Sequence, residues 1–265
     1  MGEGITVAIT TFNRAPLWRT GRMRESLCAQ TRRPDEVLIV DDNSTDDTVA
    51  VLQEWRKTVP FPVRLIQCRQ PKLNAYHANV FSENVALARA TGKIYLHLDD
   101  DGWVHPGLVD WVSRQDPTAA WYGLAKFYLE HGAKFVGHDW RRLKYEDRHG
   151  PVQEIARNSQ HRFGPIWACP LTVLREIGGH DMSMAAYRGS DVRLGDAVGR
   201  RVPCWLVMND EMTFHHYGWP WSKRQNATGQ GALVNKYRRL SGGTGSNGID
   251  FWSRINEMVP HEEVC

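Results

Sequence analysis

The sequence predicts an α/β protein with a Rossmann-like, mainly parallel central sheet flanked by helices and a smaller region on one side. Three observations carry this expectation. Short β-branched runs alternate with helical patterns from the start of the chain, the helices carry recognisable start and stop residues, and polar side chains cluster where the strands end. In open sheets of this kind ligands sit beyond the carboxyl ends of the strands.

Each element follows from its residues. "ITVAITTF" (5–12) is a β-branched strand, and Asn13 and Pro16 lead into one helix, "APLWRTGRMRESLCAQ", with Pro16 suited to its first turn. "RPDEVLIVDDNS" gives a strand over 36–41. Ser44 or Thr45 then caps a helix reaching about Lys57, with Asp46 and Asp47 in its first turn, where acids complement the helix dipole. "VRLIQC" (63–68) is a third strand, "NAYHANVFSENVALARA" a helix closed by Thr91-Gly92, and "KIYLHL" (93–98) a fourth strand. Beyond residue 118 the pattern loosens. "AAWYGLAKFYL" reads as strand, the polar stretch from Lys134 to Phe163 as hairpins or a long loop, and "CPLTVLREIGGHD" as a short helix stopped by Gly178-Gly179. "SDVRLGDAVGRR" is an amphipathic helix and "EMTFHHYGW" a last strand.

Composition sets outer bounds. The 265 residues are 42% hydrophobic and 24% charged, enough for a sizeable core, and no 18-residue apolar run argues for a transmembrane segment or secretion, so a cytoplasmic location is expected. Five scattered cysteines without a C-x-x-C pair indicate neither a disulfide framework nor a zinc site. A net charge of +3 is too weak to point to nucleic acid by itself. Eleven tryptophans fit core positions first, although flat rings in loops also stack on sugars and bases.

The candidate site gathers at strand ends: Thr11, Asn13 and Arg14 after the first, Asp41 and Asp42 after the second, Asp99, Asp100 and Asp101 after the fourth. Three successive aspartates repel one another, so such a run is either solvated or faces a cation. Residues i and i+2 of an extended segment point the same way, which would turn Asp99 and Asp101 toward one ligand and Asp100 toward the other side.

"VAITTFNR", "DEVLIVDDNSTDDT", "NVALARATGKIYLHLDDDGW" and "IGGHD…SDVRLGDAVGRR" occur in the order and approximate spacing of family-2 glycosyltransferases, and over roughly residues 4–218 the chain resembles that family and its GT-A fold. The resemblance implies a donor site for a nucleoside-diphosphate sugar, with UDP-sugar favoured, and Mn2+ or Mg2+ as the metal. It implies that Asp101 binds the metal, that Asp99 or Asp100 serves the ribose or the metal waters, and that Asp41 contacts the base with Asp42 or Ser44 as auxiliary. Thr11, Asn13 and Arg14 resemble the first nucleotide-contacting loop. Asp191 resembles the catalytic base of inverting members, and His215, chosen over His216 by its spacing to Gly218, the late metal or diphosphate ligand. Two positions depart from the pattern. Ser190 replaces a glutamate that orients the acceptor, and Glu83 stands where many members carry arginine, so that a cation is lost whose role could pass to Lys72, Arg14 or the basic tail.

The expected organisation is one GT-A domain over 1–220, with a nucleotide-binding half to about 105 and an acceptor half beyond it, followed by a basic, aromatic segment over 221–265 that could act as a lid. The expected function is metal-dependent transfer of a sugar to an acceptor hydroxyl, on a saccharide or another molecule. Two alternatives stay open: a nucleotide-sugar-binding protein without catalysis, which Ser190 makes conceivable, and glycosylation or binding of nucleic acid. The latter is suggested by Trp219, Trp221, Lys223, Arg224, Arg238 and Arg239.

Overall fold

A computed structural model describes residues 4–69, 80–128, 136–137, 152–154, 164–182, 190–217 and 255–265. Its first half is the expected alternation. Strands β1 (Ile5–Thr11), β2 (Glu36–Asp41), β3 (Val63–Cys68) and β4 (Ile94–Leu98) run parallel in the spatial order β3-β2-β1-β4. Every residue of β1 and β2 is buried, as a parallel sheet covered on both faces requires.

The alternation of side chains distributes this core between two layers. Ile5, Val7, Ile9, Val37, Ile39, Leu65, Leu96 and Leu98 face helices α1 (Ala15–Thr20), α2 (Arg22–Cys28), α3 (Thr48–Arg56) and α5 (Leu108–Ser113). Ala8, Leu38, Val40, Ile66 and Tyr95 face α4 (Val80–Arg89), α6 (Leu171–Glu176) and α7 (Ser190–Gly199) on the other side. The single helix expected after β1 is two, because Gly21 breaks it with an extended backbone (φ −76°, ψ 155°) and its amide caps Leu17. Asp46, rather than Ser44 or Thr45, serves the start of α3, where its Oδ1 accepts from the Thr48 amide at 2.9 Å. Gly178 and Gly179, at φ 83° and 67°, end α6 as expected.

Beyond β4 the sheet is no longer parallel. Strand β10 (Ile166–Pro170) runs antiparallel to β4, and β6 (Ala120–Tyr122), β11 (Cys204–Val207) and β9 (Val152–Glu154) follow it outward. A second sheet has the order β5-β12-β7-β8, from β5 (Gly102–Val104), β12 (Thr213–Tyr217), β7 (Leu124–Tyr128) and β8 (Val136–Gly137). The stretch read as one strand over 119–129 is thus divided between two sheets at Gly123, where a Cβ would meet the Met212 carbonyl oxygen at 1.7 Å. Strand β12 is not the last. Residues 255–265 form α8 (Ile255–Met258) and β13 (His261–Glu263), and β13 completes the nine-stranded sheet at the outer edge of β3. Among the described residues no helix is long and apolar enough to cross a membrane.

Candidate functional site

The register of the parallel strands assembles the site. Thr11 pairs with Asp41, and Ile9 with Leu98, so β1, β2 and β4 end together and the aspartates after Leu98 rise level with Thr11. The hydroxyl of Thr11 donates to Asp100 Oδ2 at 2.6 Å and accepts from the Trp18 indole nitrogen at 3.0 Å. Arg14 Nε lies 3.5 Å from Asp100 Oδ1. Burial pushes the Asp100 carboxyl up to about 6, with Arg14 pulling it down and Asp101 and Asp99 adding repulsion. Asp100 is therefore occupied by the β1 loop.

Asp99 and Asp101 point elsewhere, as the i, i+2 alternation predicts. Together with His216 they offer three ligand atoms within 4.8 Å of one another. His216 Nε2 is 3.1 Å from Asp101 Oδ1. The expectation for His215 is corrected here. In the β12–β5 ladder His215 lies opposite Trp103, and its ring stacks on that indole at 5.2 Å, whereas His216 is the one that reaches the aspartates. Only one of two neighbouring strand residues can face a site, and His215 is the one turned to Trp103.

The neighbouring loops are braced against each other. Asn13 takes a left-handed conformation (φ 52°), its amide donates to Ser44 Oγ at 2.8 Å, and its Oδ1 accepts from the Thr45 amide at 2.8 Å. Asn43 is left-handed as well (φ 62°). Such conformations in non-glycine residues concentrate at ligand-binding turns. Asp41 accepts from the Ser44 amide at 2.9 Å, and its Oδ1 is buried with no hydrogen-bond partner among the described residues. Burial raises its carboxyl above the usual range despite hydrogen bonds from Ser44 and Gln67. Asp42 is buried beside it, with its amide donating to the Thr11 carbonyl at 2.8 Å.

Asp191 lies in the first turn of α7, half-buried, behind a buried Ser190. The segment before it is fixed to α4: the Asn84 side chain both donates to the His180 carbonyl at 2.9 Å and accepts from its amide at 2.8 Å. Asp181 pairs with Arg193 of α7 at 2.9 Å.

Glu83, expected only as a lost cation, is instead turned into the core, with its Oε2 2.7 Å from His180 Nε2. Burial opposes its charge, but attraction and hydrogen bonding from His180 hold the carboxyl down to about 2. His97, to which the sequence assigns no role, also joins the site: its Nε2 is 3.2 Å from Asp99 Oδ1. A polar residue inside an otherwise apolar strand, two places before the acid run, was the available signal.

Trp18, Trp55, Trp111 and Trp167 are core residues. Trp103 is covered by His215 on the ring and by the Arg22 guanidinium 4.9 Å from its centroid. Lys72, and the basic aromatic positions Trp219, Trp221, Lys223, Arg224, Arg238 and Arg239, lie outside the described residues.

The sequence matches the family model of glycosyl transferase family 2 over residues 6–177. It is similar to the uncharacterized glycosyltransferase YwdF of Bacillus subtilis, 24% identical over 153 residues that make up 58% of this chain and 48% of that protein. Among solved structures, S. aureus TarS 1–349 in complex with UDP-GlcNAc superposes with a TM-score of 0.59 at 16% identity, covering 95% of this chain and 70% of that one. GalNAc-T7 with UDP, GalNAc and Mn2+ gives a TM-score of 0.63 at 16% identity, covering 90% and 48%. These likenesses establish the fold. The chain spans less than half the length of the curated relatives it matches.

Proposed function

The chain belongs to glycosyl transferase family 2, and on that premise we propose that it transfers a sugar from a UDP-sugar to an acceptor hydroxyl with inversion at the anomeric carbon. One observation carries the reading: the ends of β1, β2 and β4 bring Thr11, Asp41 and the Asp99–Asp101 run to one edge, where the second sheet adds His216.

The residues fit a divalent ion. Two carboxylates and one imidazole nitrogen whose ligand atoms lie within 4.8 Å of one another form a mixed oxygen and nitrogen set that suits Mn2+ better than Mg2+. Asp99, Asp101 and His216 would hold it, and when bound it neutralises the diphosphate that departs. The chain's own residues do the rest. Asp41, one of whose buried oxygens has no hydrogen-bond partner among the described residues, accepts from the N–H of the uracil base. Asn13 and Ser44 hold the β1 and β2 loops against each other so that the nucleotide meets a preformed surface. Asp191 takes the proton of the acceptor hydroxyl as its oxygen attacks the anomeric carbon opposite the diphosphate.

Thermal unfolding against UDP-, GDP- and TDP-sugars with and without Mn2+ tests the donor site, since a ligand bound by the native state alone raises the melting temperature. The expected result is stabilisation by UDP-sugar that needs Mn2+ and is absent in Asp101→Asn. Stabilisation by no nucleotide overturns the reading, and UDP release that an acceptor does not accelerate restricts it to binding.

A further inference from the structure

We propose that His97 is a positioning residue for the donor-site metal: from inside the sheet it holds one oxygen of Asp99, so that the other is presented with Asp101 and His216 to a single divalent cation. The inference rests on the function proposed above. His97 lies on β4, where Leu96 and Leu98 face one helical layer and His97 faces the layer of α4, α6 and α7. It is 3% exposed, and its ring stacks on Trp167, its partner on β10, at 5.0 Å and 13°. That stack fixes the plane of the imidazole, and Nε2 then reaches Asp99 Oδ1 at 3.2 Å.

The competing account is a histidine that merely fills the core. Against it stands the other ring nitrogen, Nδ1, which is buried with no hydrogen-bond partner among the described residues. An unpartnered buried polar atom is destabilising, and phenylalanine or leucine would fill the same space without it. What the imidazole supplies, and an apolar side chain could not, is a donor aimed at Asp99.

The surroundings favour that donor. Besides Asp99, the buried Glu83, which is paired with His180, acts on the imidazole electrostatically and favours a ring nitrogen that carries hydrogen. Asp99 needs such an anchor. It is 38% exposed and follows the end of β4, and its side chain would otherwise be free to turn. Groups that orient metal-ligating side chains in this way typically change metal affinity by about 10- to 100-fold when removed.

The test is calorimetric titration of Mn2+ into the full chain saturated with UDP, for the unsubstituted protein, His97→Phe and His97→Gln. Phenylalanine keeps the stack on Trp167 and deletes the donor, and Mn2+ affinity is expected to fall about 10- to 100-fold. Glutamine keeps a donor and is expected to recover most of the affinity. Unchanged Mn2+ affinity in His97→Phe overturns the inference, as does a glutamine variant as weak as the phenylalanine one. Should His97→Phe not fold, His97→Gln carries the test alone, and a loss of about tenfold or more in it is the refuting result. If the unsubstituted protein binds UDP but no Mn2+, the metal reading of the site fails first and takes this inference with it.

Discussion

Replacing Thr11 with valine probes the joint between the first strand and the acid run. The branched shape is kept, so the packing of a side chain that is only 2% exposed changes little. The loss is the hydroxyl, which gives a 2.6 Å hydrogen bond to Asp100 Oδ2 and receives one of 3.0 Å from Trp18 Nε1. Trp18 is buried and Asp100 nearly so, and neither can turn to water. Each stranded group costs about 1–3 kcal/mol, so Thr11→Val should lose roughly 2–6 kcal/mol of stability. In a domain of this size that lowers the melting temperature by roughly 4–24 °C, at about 2–4 °C per kcal/mol. The loss should also depend on pH. The folded carboxyl of Asp100 titrates near 6, above its unfolded value, so its contribution is favourable at low pH and is lost as pH rises through 6. Removing the Thr11 donor raises that carboxyl further, and the variant's deficit should be larger at pH 8 than at pH 5. Urea denaturation at both pH values is the assay, with Trp18→Phe and the double variant closing a cycle. A Thr11→Val deficit below about 0.5 kcal/mol, or strict additivity in the cycle, would refute the argument that one hydroxyl serves both partners.

Three further outcomes follow from the geometry. Glu36 is buried among Thr6 Oγ1 at 2.6 Å, Thr91 N at 3.0 Å and Arg64 Nη1 at 2.7 Å. Burial opposes its charge, but these donors hold the carboxyl below its usual range, so its stabilisation is present above the unfolded pKa and is lost as pH falls through the folded one. Glu36→Gln should cost about 2–4 kcal/mol at pH 7 and flatten the acid side of the urea midpoint profile; a parallel, merely shifted profile would count against it. Gly102→Ala places a Cβ 2.3 Å from the His215 carbonyl oxygen and 2.4 Å from the Phe214 ring, so β5 must part from β12 and Asp101 from His216. Stabilisation by UDP with Mn2+ should fall in that variant, and retention of the full shift would show the two strands to be separable from the site. Asp191→Asn should lower kcat by about 10²- to 10⁴-fold while UDP affinity, read by calorimetry, stays unchanged; an equal loss of UDP affinity would move Asp191 to the donor side.

The first half of the molecule was legible because its parallel strands are short, apolar and separated by helices with clear ends. The boundaries of β2 and β3 coincide with the runs 36–41 and 63–68. Asp99 and Asp101 sharing one direction, and Asp100 another, followed from the alternation of an extended chain alone. The second half depends on pairing between distant segments, which local pattern does not encode. "IWACP" is apolar on both faces and was not recognised as β10, and nothing local in "AAWYGLAKFYL" shows that β6 and β7 belong to different sheets. The choice between His215 and His216 failed for the same reason: it depends on the distant Trp103, which pairs with His215 across β12–β5 and takes up its ring. The Glu83–His180 pair was hidden because it joins residues almost a hundred positions apart, brought together only when the segment after α6 packs on α4, whereas the His97–Asp99 contact is local and left its signal in the strand.

Strand β13 bears on how the chain reaches this structure. Arg64 of β3 is paired with Glu263, 199 residues later, and Arg56 and Arg69 also reach into the same late segment. During synthesis β3 therefore emerges long before the strand that covers its outer edge. Until then its backbone groups form an open template for any extended chain nearby, a hazard that sheet proteins otherwise limit with charge and short edges. Removing residues 255–265 would recreate that exposed edge permanently. The expected sign of such a truncation is self-association through β3 rather than a change in nucleotide binding.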